Sequence, residues 1–462
     1  MLDFRRGFDA ESPPFLFARG SPFIFWAIME TLIVDGPTPL KGEIEVAGAK
    51  NSMSKLLTAS MLTAESCSFT NVPEIGDTEI TKAICEALGA RCSEIGPKAL
   101  SVETPEMSVA AVPEALAIQN RLSVMMLAPL LHRHGRAVVP AAGGDRIGPR
   151  PVNFHLEGYR MMGARVETLD DVYYVEANSL HGADITLPYP SVTATENMLM
   201  AATLARGRTF IRNAAIEPEV VDLALFLQKM GAIIDYQVDR TFMVEGVGSL
   251  KGTTHAIMPD RLVAASLGAA AVATGGDLFV RGARQSDLLT FLNALRRVGG
   301  GFDVASDGIR FFRQGPLRSI ALETTVHPGF MTDWQPPFAV LLTQAEGMSV
   351  IHETVFEDRF VYISELQKMG ADIEIYDTCL GGGQCRFGAT GHSHSAVIKG
   401  PTALRSAEIS VPDLRAGFTY LIAAVCAEGR SMIRGVEELD RGYEEIDKSL
   451  RELGAMIERR RD

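Results

Sequence analysis

A polar or charged residue, an apolar stretch rich in alanine and leucine, and a closing residue fourteen positions on recur six times along this chain. The pairs are Asn51/Glu65, Arg121/Gly135, Thr193/Gly207, Arg261/Gly275, Asp333/Gly347 and Arg415/Gly429. A short β-like run follows each pair, as in Thr209-Phe210-Ile211 and Ser349-Val350-Ile351. A second element then ends in a hydrophobic residue plus Gly-Ala, at Leu88-Gly89-Ala90, Met162-Gly163-Ala164, Met230-Gly231-Ala232, Met369-Gly370-Ala371 and Leu453-Gly454-Ala455, with Val298-Gly299-Gly300 as the variant copy. These glycines return roughly every 70 residues, the mark of a repeated supersecondary unit. The first member of each pair falls where a helix begins, so the fold should present six equivalent helix N-termini. Free N–H groups and the helix dipole suit such ends to anions.

Within the first unit, 42–46 alternates as a half-buried strand does and Gly48 turns the chain. Asn51 or Ser52 can cap a helix running to about residue 64, and 68–71 reads as the next strand. A second helix over 78–88 stops at Gly89, and 91–95 and 99–102 close the unit. Six such strand-helix-strand-helix-strand-strand units predict an α/β chain of two pseudo-equivalent domains, three units each. A continuous solenoid is the alternative, favouring more even spacing and similar end caps. The third unit ends near Val247 and Pro259-Asp260 opens the fourth helix, so the boundary falls near 250–260. Either half could take the strand before Gly48.

A net charge of −13 disfavours nucleic acid and anionic membrane as partners, so an anionic substrate needs a local basic pocket. Six cysteines, at 67, 85, 92, 379, 385 and 426, form no CxxC pair, which fits a reducing cytoplasm better than a disulfide scaffold or a zinc site. His392-Ser393-His394, on a glycine-rich hairpin tip without an acidic neighbour, reads as an exposed pair, and no metal is expected. Neither GxxxxGK[ST] nor a GxGxxG following a strand occurs, which disfavours nucleotide hydrolysis and dinucleotide binding. Residues 1–28 carry two short apolar runs split by Arg19-Gly20-Ser21-Pro22, too interrupted for a membrane span. They read as a disordered extension before Met29, the natural start of the patterned sequence.

Lys50, in Ala49-Lys50-Asn51, sets an ammonium beside free helix N–H groups, a pairing suited to phosphate or carboxylate. The loop 143–151, with Gly143, Gly144 and Gly148 around Asp145 and Arg146, is a candidate lid, and Pro151 is placed as the first residue of the next helix. Asp333 and Asp413 each precede a helix, where a rigidly held carboxylate can cap or catalyse. Arg121, Arg261 and Arg415 share the helix-start position and, with Arg441, could converge between two domains, offering bidentate grips for anions.

Several long blocks, in order, resemble the UDP-N-acetylglucosamine 1-carboxyvinyltransferase family of enolpyruvyl transferases, from about Leu32 to the end of the chain. They are Gly48-Ala49-Lys50-Asn51, 143–152 with His155, Glu217-Pro218-Glu219-Val220-Val221-Asp222, His327-Pro328-Gly329-Phe330-Met331-Thr332-Asp333, 353–360 and Asp440-Arg441-Gly442-Tyr443. The resemblance implies two inside-out α/β barrel domains built from six βαβαββ units, with the site in the cleft between them. The division expected is 50–258 with the lid loop 143–151, and 29–49 plus 259–462. It also implies transfer of the enolpyruvyl group of phosphoenolpyruvate to the 3′-hydroxyl of the UDP-sugar, without metal or organic cofactor, in the cytoplasm, by a monomer or weak homo-oligomer.

Carried over by position, Lys50, Arg121, Arg150 and Arg441 would hold phosphoenolpyruvate. Asp333 would take the proton of the sugar hydroxyl, and Asp413 would support the transient cationic centre. Asn51, Pro151, Val152, His155, Ser191, Val192, Thr193, Asp333, Val355 and Phe356 would line the UDP-sugar pocket. The chain departs from the family pattern at Asp145, where many members carry the lid cysteine that acts as general acid and is the target of fosfomycin. Tyr189 stands where a basic residue is expected near the uridine phosphates, and Asn153 replaces an aspartate. The alternatives are an enolpyruvyl transferase acting on another nucleotide or sugar, and a non-catalytic UDP-sugar-binding homologue.

Overall fold

The computed structural model describes residues 30–141, 152–382, 385–388 and 390–461. The expected extension 1–28 and the loop 143–151, with Asp145, Arg150 and Pro151, lie outside the described residues.

Six inner helices carry the repeat: α1 (Lys50–Ser60), α2 (Leu127–His134), α3 (Val192–Thr203), α4 (Arg261–Ala273), α5 (Gln335–Thr343) and α6 (Leu414–Cys426). All but two of the residues of α3 are buried, as are all but one of those of α4 and all of α5, as befits helices that are apolar all round. The glycines closing the second elements, from Gly89 to Gly454, all have positive φ, the left-handed conformation glycine adopts without strain. Two units depart from the expected helix start. In them a 3₁₀ turn comes first, Leu122–Met126 before α2 and Thr332–Trp334 before α5. Proline explains both: Pro129 and Pro336 lack the N–H that an α-turn would use and crowd the carbonyl four residues back.

Among the described residues there are five four-stranded sheets and one three-stranded sheet. Each larger sheet repeats one plan. Asp184–Thr186, for example, runs parallel to Arg208–Arg212, and Thr241–Glu245 and Ile233–Gln237 complete it antiparallel. In the smaller sheet a single parallel bridge, Ala111 to Val138, stands where the others have a full strand.

The parallel strand comes from the unit before, and this closes a ring: Thr254–Ala256, after the third unit, pairs with Cys67–Thr70 of the first. Lys41–Glu45 pairs with Asp277–Arg281 of the fourth unit, so the strand before Gly48 joins the second half. Glu30–Gly36 lies between Gly429–Arg434 and Met456–Arg461. Closed rings of three units exclude the solenoid and make a two-domain α/β protein.

Two hydrophobic cores result, one built from residues between Met53 and Ile257, the other from Leu32–Val46 together with Leu262–Ile457. The chain passes between them twice, and the two passages run side by side: Ala49 N–H donates to Met258 O at 2.7 Å and Asp260 N–H to Ala47 O at 2.9 Å. Gly48 sits in this crossing, where a Cβ would strike the carbonyl oxygen of Asn71. Gly48→Ala is expected to cost about 1–3 kcal/mol, the usual range for forced overpacking. Thermal unfolding reads this as a lowered midpoint, and an unchanged midpoint would show that the crossing yields freely.

Candidate active site

The two crossings set helix starts from both halves against each other. Lys50 is the first residue of α1, and its N–H donates to Asp260 Oδ2 at 3.2 Å. Asp260 also caps α4 by accepting from Leu262 N–H at 2.8 Å, so one buried carboxylate joins two helix N-termini. Burial pushes its carboxyl up from the usual range. The Lys50 ammonium lies 2.8 Å from Asp77 Oδ2, and Arg441 Nε, from the other half, lies 3.2 Å from Asp77 Oδ1. Two predicted anion-binding cations thus share one carboxylate that the sequence reading did not single out.

Next to Lys50, Asn51 Oδ1 accepts from Arg415 Nη2 at 3.2 Å. Arg415 Nε lies 3.6 Å from Asp333 Oδ2, and the buried Arg359 donates to Asp333 Oδ1 at 2.8 Å. The Asp333 carboxylate does not cap its helix. It stands in the 3₁₀ turn between two guanidiniums. Asp413 does cap, accepting from Arg415 N–H at 2.8 Å and Ala416 N–H at 3.0 Å, which holds the start of α6 and hence Arg415.

Val355 and Phe356 are tied to this region by the fully buried Glu353. Its Oε1 accepts from the Val355 and Phe356 N–H groups at 2.7 and 3.1 Å, and its Oε2 from Thr332 Oγ1 and Gln335 Nε2 at 2.9 and 2.8 Å. The family-like blocks at 217–222 and 327–333 also meet across the halves. His327 N–H donates to Glu217 Oε1 at 3.5 Å, and a neighbouring arginine braces each block: Arg261 grips Glu219 through Nε and Nη2 at 3.0 Å, and Arg240 Nη1 donates to His327 O at 2.8 Å.

In the first half, His155, Ser191, Val192 and Thr193 gather at the start of α3. Ser191 is the N-cap of α3 and Val192 its first residue. Thr193 Oγ1 and Asn197 Nδ2 contact the two ring nitrogens of His155 at 3.3 and 3.0 Å. Val152 is the residue before the helix Asn153–Met161 that carries His155. Arg121 precedes the 3₁₀ turn of the second unit, and its charge bears on His155. Burial, with Arg121 second, pushes the His155 imidazole down to about 3.

Between about pH 6.5 and 3 the unfolded chain therefore carries a proton at His155 that the folded chain does not, so acid costs stability there, up to about 1.4 kcal/mol per pH unit. His155→Gln should make the unfolding midpoint fall less steeply between pH 7 and pH 5. An unchanged slope would contradict a neutral, buried His155.

Arg386, from the second half, lies with its guanidinium carbon 4.6 Å from the ring centre of Tyr189 and pairs with Glu357 at 3.0 Å. Burial pushes the Tyr189 phenol up to about 12. A cation thus stands beside the position where a basic residue was expected, supplied by another part of the chain. The reading of His392 and His394 as an exposed pair does not hold, because His394 is buried, and the ligand atoms of His352, Cys379, Cys385 and His394, a cluster that CxxC spacing does not reveal, all lie within 4.8 Å of one another.

The chain matches the family of EPSP synthase (3-phosphoshikimate 1-carboxyvinyltransferase) over residues 34–450. It is 49% identical over 437 residues to the UDP-N-acetylglucosamine 1-carboxyvinyltransferase of Protochlamydia amoebophila, covering 93% of this chain and 94% of that protein. It is 48% identical to the protein of that name from Chlamydia pneumoniae, over 93% of this chain and 95% of the other. Among solved structures, the enolpyruvyl transferase NikO from Streptomyces tendae superposes with a TM-score of 0.83 at 24% identity, covering 93% of this chain and 99% of its own. EPSP synthase from Acinetobacter baumannii gives 0.69 at 17%, covering 94% of this chain and 100% of its own. These last two show the fold. The chain belongs to the carboxyvinyl (enolpyruvyl) transferase family. Its place within it is among the UDP-N-acetylglucosamine 1-carboxyvinyltransferases, the name its relatives at 46–49% identity share.

Proposed function

We infer that the chain transfers the enolpyruvyl group of phosphoenolpyruvate to the 3′-hydroxyl of UDP-N-acetylglucosamine with release of phosphate, the first committed step of peptidoglycan synthesis. The observation that carries this reading is the meeting of Lys50 with Arg441, and of Asn51 with Arg415 and Asp333, at helix starts drawn from both halves of a family member.

In this reading the phosphate and carboxylate of phosphoenolpyruvate take over from Asp77 as partners of Lys50 and Arg441, with Arg121 and Arg150 completing the grip. The sugar lies against Asn51, 151–155, Ser191-Val192-Thr193, Val355 and Phe356. Its 3′-oxygen attacks C2 while Asp333 accepts the hydroxyl proton and Asp145 protonates C3. Positive charge passes through C2 next to Asp413 and Asp333. The tetrahedral intermediate then expels phosphate as the C3 methyl returns a proton to the Asp145 carboxylate, which leaves the enol ether, and the proton taken by Asp333 departs with the phosphate. Cations fixed before substrate arrives stabilise the departing charge without reorganising, which is where such sites gain most of their rate. No metal or organic cofactor enters the scheme.

Residues 50–258 and 29–49 with 259–462 act as the two domains, closing on substrate with 143–151 as the lid, which excludes water and strengthens each polar contact. No helix among the described residues is long and apolar enough to cross a membrane. The chain works in the cytoplasm as a monomer or weak homo-oligomer. The test is phosphate release from phosphoenolpyruvate with UDP-N-acetylglucosamine, with shikimate 3-phosphate, and with neither. Release only with the UDP-sugar is expected. Release with shikimate 3-phosphate instead, or with no acceptor, overturns the reading.

A further inference from the structure

Four side chains that the transfer reaction does not use converge beside the end of the strand Gly347–His352. That strand pairs antiparallel with Ser395–Gly400, which sets His352 opposite Ser395 and so brings His394 next to it, the two imidazole centres 5.5 Å apart. Cys379 Sγ lies 3.2 Å from His394 Nε2, and the Cys385 thiol lies within 4.8 Å of the other three ligand atoms. Both imidazoles are essentially buried.

The ring nitrogens are ordered in a particular way. His352 Nδ1 lies 2.9 Å from Glu323 Oε2 and His394 Nδ1 lies 2.6 Å from His392 O. A carboxylate and a carbonyl can only accept, so each Nδ1 carries a proton, and in the neutral ring each Nε2 presents a lone pair. His352 Nε2 is buried with no hydrogen-bond partner, an uncompensated acceptor that costs free energy unless something is bound to it. A carboxylate or carbonyl on the far nitrogen is also the arrangement that fixes and strengthens a metal-binding imidazole. Around the sulfurs, Phe387 N–H donates to Cys385 Sγ at 3.3 Å, a contact that stabilises a thiolate. Gly381 and Gly388 leave the space: a Cβ at Gly381 would strike His352 Nδ1 and Glu323 Oε2, and one at Gly388 would come within 3.2 Å of Cys379 Sγ.

We propose that His352, Cys379, Cys385 and His394 form a Zn²⁺ site of structural type, closed by four protein ligands and separate from the reacting centre. Two thiolates and two neutral imidazoles in tetrahedral array suit Zn²⁺ above other divalent ions, and they neutralise its charge. With bonds of about 2.0–2.3 Å, ligand atoms sit roughly 3.3–3.8 Å apart, so a contraction of about 1 Å from the observed spacing closes the shell. The two thiol protons leave to solvent on binding, and nothing is oxidised or reduced. The ion staples Cys379 and Cys385 to the strand end that leads into Glu353, Val355 and Phe356. It also fixes Arg386, the residue after Cys385, against Tyr189 and Glu357.

The test uses untagged full-length protein from zinc-supplemented cells, purified without chelator. Metal analysis should find about one zinc per chain, and the double variant Cys379→Ala/Cys385→Ala should have lost it. Should that variant fail to fold, the wild-type protein stripped with chelator and given Co²⁺ decides. The intense visible bands of a tetrahedral cobalt site with thiolate charge transfer are expected. Wild-type protein with no zinc and only the weak spectrum of octahedral cobalt overturns the proposal. So does a folded double variant that keeps its zinc, or a Cys379–Cys385 disulfide mapped by mass in protein purified under reductant. Because metal content and spectrum are read without turnover, a negative result here leaves the reading of the transfer reaction standing, and the reverse also holds.

Discussion

Asp333→Asn is expected to lower turnover by roughly 10²–10⁴-fold, the range for loss of a general acid–base group, while leaving affinity for UDP-N-acetylglucosamine within a few-fold of wild type. Asparagine is the better probe than alanine. Asp333 is the acidic partner of the buried Arg359, and its other oxygen faces Arg415, so truncation to alanine would leave buried charge unpaired and confuse folding with chemistry. An amide keeps the volume and one acceptor for Arg359 but takes no proton. The check is steady-state turnover beside direct measurement of UDP-sugar binding by calorimetry. Turnover near wild type removes Asp333 from the reaction. Equal losses in binding and turnover would assign it to positioning the sugar.

The second large effect concerns Asp145. Fosfomycin is an epoxide that alkylates a thiolate, and a carboxylate is a far weaker nucleophile toward it. None of the six cysteines lies in 143–151, so wild-type protein incubated with fosfomycin and the UDP-sugar should keep its intact mass and its activity. Asp145→Cys should acquire one adduct and become sensitive while staying active. Asp145→Asn, which cannot donate the proton to C3, should lose about 10²–10⁴ in turnover. An aspartic acid must be protonated to serve, and free carboxyls titrate well below thiols, so burial on closure has to raise it. Turnover then falls as pH rises through that raised value, and the cysteine variant should hold its activity to higher pH. A stoichiometric adduct on wild-type protein, tied to loss of activity, contradicts the role given to Asp145.

The six inner helices were legible because their signals are local: a polar residue at the start, an apolar body and, in all but the first, a glycine of positive φ after the end. The late starts of α2 and α5 were also written in the sequence, in Pro129 and Pro336, but periodicity alone does not weigh a missing N–H. Partners across the interface were not legible. Asp77 meets Arg441 from 364 positions away, and the residues tying Asp333 and Val355 into one wall, Arg359 and Glu353, are ordinary charged residues until the fold buries them. The cysteine–histidine cluster was hidden for the same reason. Its fourth member, His352, comes from a different strand, and only the antiparallel register with 395–400 sets it beside His394. The reading of the cysteines as unconnected rested on the want of a CxxC pair, a spacing that a site assembled from two strands does not require.

The most direct measurement is the fate of a labelled carbon. With phosphoenolpyruvate carrying ¹³C at C2 and unlabelled UDP-N-acetylglucosamine, the ¹³C resonance should move to that of an enol ether carbon coupled to the proton on sugar C3, in step with release of one phosphate per sugar consumed. Label remaining in phosphoenolpyruvate, appearing as pyruvate, or coupled to any other sugar proton would contradict enolpyruvyl transfer to the 3′-oxygen.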